Sequence, residues 1–529
     1  MGNKTSITKL HSVNNRLSSS IALLLAASAG ACSVLAFAPF GWWPVQLLTL
    51  ALMFGITARD CTIRRSALLG WAYGFGWMAC GVYWLYISMH RYGGMPAWMA
   101  ALAVVLFAAG LGAFTALAMG GTAWLRQRWH AAPAMTLLML APAAWALTEW
   151  LRGWVFTGFP WIVSGYAHTG SPLAGFAPLI GVYGIGWLAA ILAGCLALLP
   201  HDRRGLLLAM VILGTGYGLK SIDWTEAHGQ PISVRLLQGN VPQEIKFDSE
   251  QLGATLGLYY DLIRQAPADL IATPETAIPL LPHQLPPDYL ELLAGFARQS
   301  HSHLALGIPV SDGPQQYSNA VMVFPQQPAA GMPPYRYEKH HLVPFGEFIP
   351  TGFRWFVDML RIPLGDQTSG ATLQMPFAVK DQWILPNICY EDLFGEEIAN
   401  QLAASYFSGA PQASILLNMS NIAWFGDSLA LPQHLQISQM RTLETGRPML
   451  RATNTGMTAI INPKGKVTAQ LPPLQHAALA ASVQGYQGAT PYILFGNSLI
   501  VGMTALILAL AWLLQRKTRR NSHNADKNR

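Results

Sequence analysis

Charge is what this sequence is short of. Only 11% of its 529 residues are Asp, Glu, Lys or Arg, against 52% hydrophobic, whereas an average soluble protein is about 25% charged. A chain so poor in charge cannot keep its whole surface in water, and part of it is expected to face lipid. The shortage is lopsided. Before Asp223 the acidic residues are Asp60, Glu149 and Asp202 alone, while the later part has an ordinary acidic content. Two regions with two solvents are implied.

Cysteine is scarce as well. Of Cys32, Cys61, Cys80, Cys195 and Cys389, only the last lies beyond residue 222, so the second region has no disulfide framework of its own. There is no internal repeat, low-complexity tract, P-loop or dinucleotide glycine fingerprint, and no nucleotide cofactor is expected. The net charge of +7 sits in short Lys/Arg clusters between apolar runs and in the tail Arg516-Lys517-Thr518-Arg519-Arg520. Such clusters read as topology signals, and without a basic stripe with interleaved aromatics no nucleic-acid partner is expected.

What is present is a series of apolar runs, each near the roughly 20 residues that cross a bilayer. They lie at 18–38, 43–58, 66–89, 95–125, 133–151, 177–200, 205–221 and 493–515, eight candidate spans. Lys4, Lys9 and Arg16 ahead of residues 21–29 imitate a signal peptide, and Ala29-Gly30-Ala31-Cys32 a lipoprotein cleavage site. The apolar run continues to Phe40, however, and favours an uncleaved first helix. Arg59, Arg64 and Arg65, then Arg126 and Arg128, then Arg203 and Arg204, fall on the same side as both termini. That side is predicted to be cytoplasmic, which puts the segment between spans seven and eight outside the cytoplasm. The aromatic stretch 154–161 reads as interfacial, either a belt at the membrane surface or a substrate contact.

The chain therefore divides into a membrane domain of seven helices (1–221), an extracytoplasmic domain (222–492), an eighth span (493–515) and a basic tail (516–529). In the large domain, β-branched runs predict strands at 232–238, 269–273, 304–309, 319–324, 383–389, 414–418, 450–453 and 458–461. Helices are predicted at 251–265, 287–299, 395–404 and 432–445. Strands alternating with helices argue for a layered α/β or α+β domain.

Cys389 ends an apolar strand and precedes Tyr390, Glu391 and a predicted helix. A solitary thiol outside the cytoplasm is either buried and inert or kept for reactivity. A strand-to-helix turn would expose it and aim backbone N–H groups at a thiolate or an oxyanion. Glu275 follows a strand between Pro274 and Pro279, and is either a desolvated general base or a loop cap. Lys339 opens Lys339-His340-His341-Leu342-Val343-Pro344-Phe345-Gly346-Glu347, and is either a partner for the thiolate or a surface lysine. Adjacent histidines point to opposite sides of a strand and lack ligand spacing, so no metal is expected at His340 and His341.

In chain order, Pro274-Glu275, Lys339 to Glu347 and Cys389-Tyr390-Glu391 resemble the Glu/Lys/Cys triad segments of the nitrilase superfamily. On a polytopic membrane body, this combination resembles the apolipoprotein N-acyltransferase family of bacterial lipoprotein maturation. The resemblance extends to Gln238-Gly239-Asn240-Val241-Pro242-Gln243, Asn421-Ile422-Ala423-Trp424-Phe425-Gly426 and Arg447 through Gly456. Ile422 and Phe247 depart from it, standing where Asp and Trp are usual.

The resemblance implies an αββα nitrilase-like domain carried by about eight transmembrane helices of the inner membrane, with the catalytic domain in the periplasm. It implies acyl transfer from a membrane phospholipid to the amine of a diacylglyceryl apolipoprotein, through a thioester on Cys389, without cofactor and as a monomer. Glu275 is the implied base and Lys339 the implied oxyanion donor, with Lys339 and the turn favouring a thiolate. The backbone N–H of Tyr390 is a second oxyanion donor, and Glu347 and Glu391 are supporting carboxylates. Trp424 and Phe425 read as apolar wall or as ordinary core. The apolar segment 352–362, with Trp355 and Met359, reads as a lipid-admitting arm on the membrane or as a helix packed on the domain.

Three rivals stay open: a membrane-tethered nitrilase-type amidase or thioester hydrolase, a cysteine enzyme using His434 as base, and a transporter or lipid scaffold with an inert domain. The last would call for more ionisable residues within the spans than Glu149 and Arg152.

Overall fold

A computed structural model describes residues 19–58, 62–244, 246, 248, 250–313, 316–327, 333–352, 354 and 366–527. Trp355, Met359 and Phe247 lie outside these residues, and so does nearly all of the expected arm.

Helices occupy every expected apolar segment. They are α1 (Ser19–Ser33), α2 (Trp43–Ala58), α3 (Ile63–Gly81), α4 (Ala97–Trp129), α5 (Ala141–Arg152, continuing a helical start at Pro133), α6 (Ala177–Leu198) and α7 (Arg204–Leu219). Among the described residues, four helical stretches are long and apolar enough to cross a membrane: Ala97–Trp129, Pro133–Arg152, Pro172–Leu198 and Ser498–Lys517. Their outer faces carry exposed Leu102, Val105, Leu106, Leu506, Leu510 and Leu513, the reverse of a water-facing helix and the pattern lipid requires.

The second region is two six-stranded sheets. The first has the order β12-β1-β2-β3-β4-β5 and the second β11-β10-β9-β8-β7-β6. In chain order the strands are Glu226–Gln238, Leu270–Ala272, His303–Gly313, Gln316–Phe324, Tyr335–Glu338, Phe377–Val379, Gln382–Ile388, Ile415–Ser420, Met449–Thr453, Ala459–Ile461, Val467–Gln470 and Ala477–Gln487. Each sheet has a parallel centre, β1-β2-β3 or β7-β8-β9, and antiparallel outer pairs.

The inner faces share one core in which Val234, Leu236 and Ala272 meet Ile384, Leu417 and Leu450. Outside the first sheet, α8 (Leu252–Arg264) and α9 (Tyr289–Gln299) bury Leu256, Ile263 and Leu293. Outside the second, α10 (Gly395–Ser408) buries Ile398 and Leu402 against Leu385 and Leu416. The layers are therefore α-β-β-α. The predicted strands and helices are all found with shifted ends. Four strands were not foreseen: β5, β6, β11 and β12. The last returns from the far end of the chain to pair with β1 from Glu226 to Gln238.

Helix α11 (Ala430–Thr445) is buried along nearly its whole length although rich in polar side chains. It packs against α6, and several of its polar groups find partners in the membrane body. Gln433 accepts from Trp161 Nε1 at 2.8 Å and from Trp84 Nε1 at 3.3 Å. Gln436 accepts from the backbone N–H of Ala38 at 3.0 Å. Helix α6 breaks at Gly181, where φ is 62° and a Cβ would lie 2.2 Å from the Tyr492 ring. The break frees the N–H of Val182, which donates to Glu444 at 2.8 Å, and Glu444 also pairs with Arg441 at 3.0 Å. A buried charge without such partners would cost several kcal/mol, so this network fixes the domain on its base.

Candidate active site

Three strand ends converge. Glu275 follows β2, Lys339 follows β5 and Cys389 follows β7, each just past the carboxyl end of its strand, where side chains leave the sheet and backbone groups are free. Cys389 has φ 52°, a left-handed conformation that a side chain adopts only when its surroundings impose it. The turn continues into a short 3-10 helix, Cys389–Leu393, and then α10. The carbonyl of Cys389 is held by Asn418 Nδ2 at 3.5 Å and by His434 Nε2 at 3.3 Å.

Glu275 is almost wholly buried. Its Oε1 accepts from Asn319 Nδ2 at 2.7 Å and from Lys339 Nζ at 3.2 Å, and its Oε2 accepts from the backbone N–H of Asn421 at 2.7 Å. Its charge also acts on the Cys389 side chain, where it raises the thiol. Lys339 is 1% exposed and donates to Glu347 at 2.7 Å as well. Two of its three N–H bonds are thus directed by carboxylates and the third is available to a reacting oxygen.

Burial opposes the ammonium, but Glu275 and Glu347 outweigh it and hold Lys339 above the usual lysine range. Burial pushes the Cys389 thiol up, Glu275 adds to this, and Lys339 only partly opposes it. Lys339 acts in the expected sense, toward the thiolate, but desolvation and two nearby carboxylates outweigh it and hold the thiol above the usual cysteine range. A base must act for it to react.

Glu347 also accepts from the N–H of Val343 at 2.8 Å, closing the tight turn that follows Lys339. Glu391 spans two elements. Its Oε2 accepts from the N–H of Ile388 at 2.6 Å and from Tyr337 at 3.1 Å, and its Oε1 from the N–H of His340 at 2.7 Å. It therefore ties the Lys339 strand end to the Cys389 turn. Burial raises it to about 7, and its backbone donors only moderate that rise. Tyr390 donates its hydroxyl to the carbonyl of Gly158 at 2.9 Å, joining the residue after Cys389 to the aromatic loop of the membrane body.

Phe425 packs on Trp84, with ring centroids 4.3 Å apart, while Trp424 is partly exposed with its edge toward Tyr92. Both stand at the joint between domain and membrane body. Ile422 is buried among apolar groups of that joint, so its departure from Asp is matched by an apolar setting.

Arg451 donates to His434 Nδ1 at 3.1 Å. A guanidinium cannot accept, so His434 carries its proton on Nε2 and gives it to the Cys389 carbonyl. Burial and Arg451 together push His434 well below the usual histidine range. This ring supports the Cys389 backbone and is turned away from the role of base. His340 and His341 diverge to Gly370 and to Glu397 with Thr157 respectively.

Sequence reasoning missed three groups that bear on Glu275, namely Asn319, Asn421 and Lys246. Asn421 lay in a segment already singled out. Asn319 opened a predicted strand, and Lys246 was not singled out.

Residues 29–195 match the family model described as apolipoprotein N-acyltransferase N-terminal domain, and residues 233–492 match carbon-nitrogen hydrolase. A protein of Ralstonia nicotianae named apolipoprotein N-acyltransferase is 47% identical over 93% of this chain and 93% of its own length. One of the same name from Nitrosomonas europaea is 44% identical over 94% of this chain and 99% of its own. Among solved structures, an amidase from Nesterenkonia sp. aligns with TM-score 0.36 and 17% identity, covering 48% of this chain and 91% of that one. The agreement with these curated relatives runs through both the membrane helices and the two-sheet domain, and the chain belongs to the apolipoprotein N-acyltransferase family.

Proposed function

We propose that this protein moves a fatty acyl chain from a membrane phospholipid to the N-terminal amine of a diacylglyceryl-cysteine apolipoprotein, through a thioester on Cys389. The observation that carries the reading is the buried Lys339, held between Glu275 and Glu347, with the Glu275 carboxylate near enough to Cys389 to raise its thiol. We read the chain as eight spans with both termini cytoplasmic and the 222–492 domain in the periplasm, so that donor and acceptor both reach the thiol from the bilayer.

In the first half-reaction Glu275 takes the thiol proton and the sulfur attacks the ester carbonyl. The oxyanion is held by the third N–H of Lys339 and the backbone N–H of Tyr390, each worth on the order of 3 kcal/mol. The tetrahedral intermediate collapses, and the lysophospholipid leaves with the proton from Glu275. In the second half-reaction the α-amine attacks the thioester, Glu275 takes its proton, and the sulfur departs and recovers that proton. Glu347 and Glu391 position Lys339, and Trp424 and Phe425 form apolar wall for the chain.

The alternative is a membrane-tethered nitrilase-type amidase or thioester hydrolase, in which water replaces the amine. Full-length protein in phospholipid vesicles with a synthetic diacylglyceryl-cysteinyl peptide separates the two. The expected result is an acyl mass on the peptide amine. Free fatty acid with an unmodified peptide would overturn the transfer reading.

A further inference from the structure

Lys246 is 2% exposed, and its Nζ donates to the backbone carbonyl of Glu275 at 3.2 Å. Among the described residues no carboxylate lies within ion-pair distance of it. The buried Arg447 also lacks a carboxylate, but it is satisfied by the carbonyls of Ala413, Thr445 and Gly488. A single carbonyl does not repay the desolvation of an ammonium with three donors.

The compensation must come from charge nearby, and the site has an imbalance of the right sign. Two carboxylates, Glu275 and Glu347, share one ammonium, Lys339, and Cys389 must pass through an anionic form beside them. A second cation at Lys246 brings the cluster close to neutrality.

We propose that Lys246 is a positioning residue for the base: its ammonium pins the Glu275 peptide and supplies the second positive charge under which Glu275 and Cys389 exchange a proton at neutral pH. This rests on the roles given above to Glu275 and Cys389. Burial lowers Lys246 to about 8, with Glu275 and Cys389 acting in the opposite sense, so its charge is present at neutral pH and lost above that value. The other charged or titratable groups that face the Glu275–Cys389 pair are Lys339, Glu347, Arg451 and His434, all unaltered by substitution at 246.

The test is the pH dependence of alkylation of Cys389 by iodoacetamide in the full-length protein, read as mass on the Cys389 peptide. No lipid chemistry is involved, so a wild-type protein that fails to take an acyl chain would count against the proposed function and leave this result standing. Lys246→Met and Lys246→Gln remove the charge, and Lys246→Arg keeps it. Loss of a cation disfavours both the thiolate and the carboxylate. The neutral variants are therefore expected to slow alkylation about tenfold below pH 8, where wild-type Lys246 carries its charge, to converge with wild type above it, and Lys246→Arg to restore the rate. An unmoved profile in either neutral variant overturns the proposal. So would misfolding of both neutral variants beside a folded Lys246→Arg with the wild-type profile, because Lys246 would then be only a structural cation.

Discussion

The protein buries ionic clusters in two places, and they are built to opposite ends. At the joint between domain and membrane body, Arg441 pairs with Glu444 at 3.0 Å, and Glu444 also takes the N–H freed by the break at Gly181. Arg451 pairs with Asp392 at 3.4 Å and holds His434. Each charge there is committed to fixed partners. At the strand ends, Lys339 is held by two carboxylates yet keeps one N–H, and Cys389 is only partly covered, with the Glu275 charge acting on its thiol. The same ingredients give a fastener whose charges are paired with one another and a candidate site where an N–H and a thiol are left open.

Substitutions can break that contrast. Glu275→Gln keeps an oxygen for Asn319 and Lys339 but removes the base, and acyl-enzyme formation is expected to fall about 10³-fold with little change in the thermal midpoint. Full acylation with loss in His434→Ala would instead transfer the base to His434. Arg441→Met leaves Glu444 buried without its cation and is expected to cost about 3–5 kcal/mol, read as denaturant stability of the detergent-solubilised protein, with activity per folded molecule kept.

Glu391 sharpens the comparison from the side of the strand ends, where it ties the Lys339 strand end to the Cys389 turn. Its carboxyl is raised from 4.5 to about 7, so the folded protein binds that proton more tightly than the unfolded chain. The stability it contributes is present below about pH 4.5 and is lost as pH rises through about 7. Thermal midpoints measured from pH 5 to pH 8 should fall less steeply in Glu391→Gln than in wild type. The smallest effect is expected at Trp424, partly exposed at the joint. Trp424→Ala should shift the thermal midpoint little and raise the KM for the phospholipid donor, whereas an unchanged KM would reduce Trp424 to packing.

Much of the fold was legible because its central strands are short apolar runs between turn residues, and its membrane helices are long apolar runs. What escaped were strands without that signature. β12 opens on the alanine-rich run 477–481, β5 is Tyr335–Glu338 and largely polar, and β6 and β11 are three and four residues long. β12 owes its strand character to pairing with β1 across the whole domain, which no local pattern encodes, while β5, β6 and β11 are short edge strands added to a neighbour in the chain.

The triad was legible through its order along the chain and its place at strand ends. The thiol's protonation state was not, because it depends on burial and on Glu275 and Glu347 brought in from two other segments. Lys246 escaped for the same reason: nothing in its neighbours along the chain marks it as buried under the base. Helix α11 reads as an amphipathic surface helix, and only its placement against α6 explains why Gln433, Arg441 and Glu444 can all be buried.

The central claim is that Cys389 carries the acyl chain, and intact mass of the full-length protein purified from membranes tests it most directly. The account predicts an added fatty-acyl mass on the wild type, removed by hydroxylamine and absent in Cys389→Ala. A wild-type protein that never acquires the adduct, even when supplied with phospholipid and no acceptor, would contradict it.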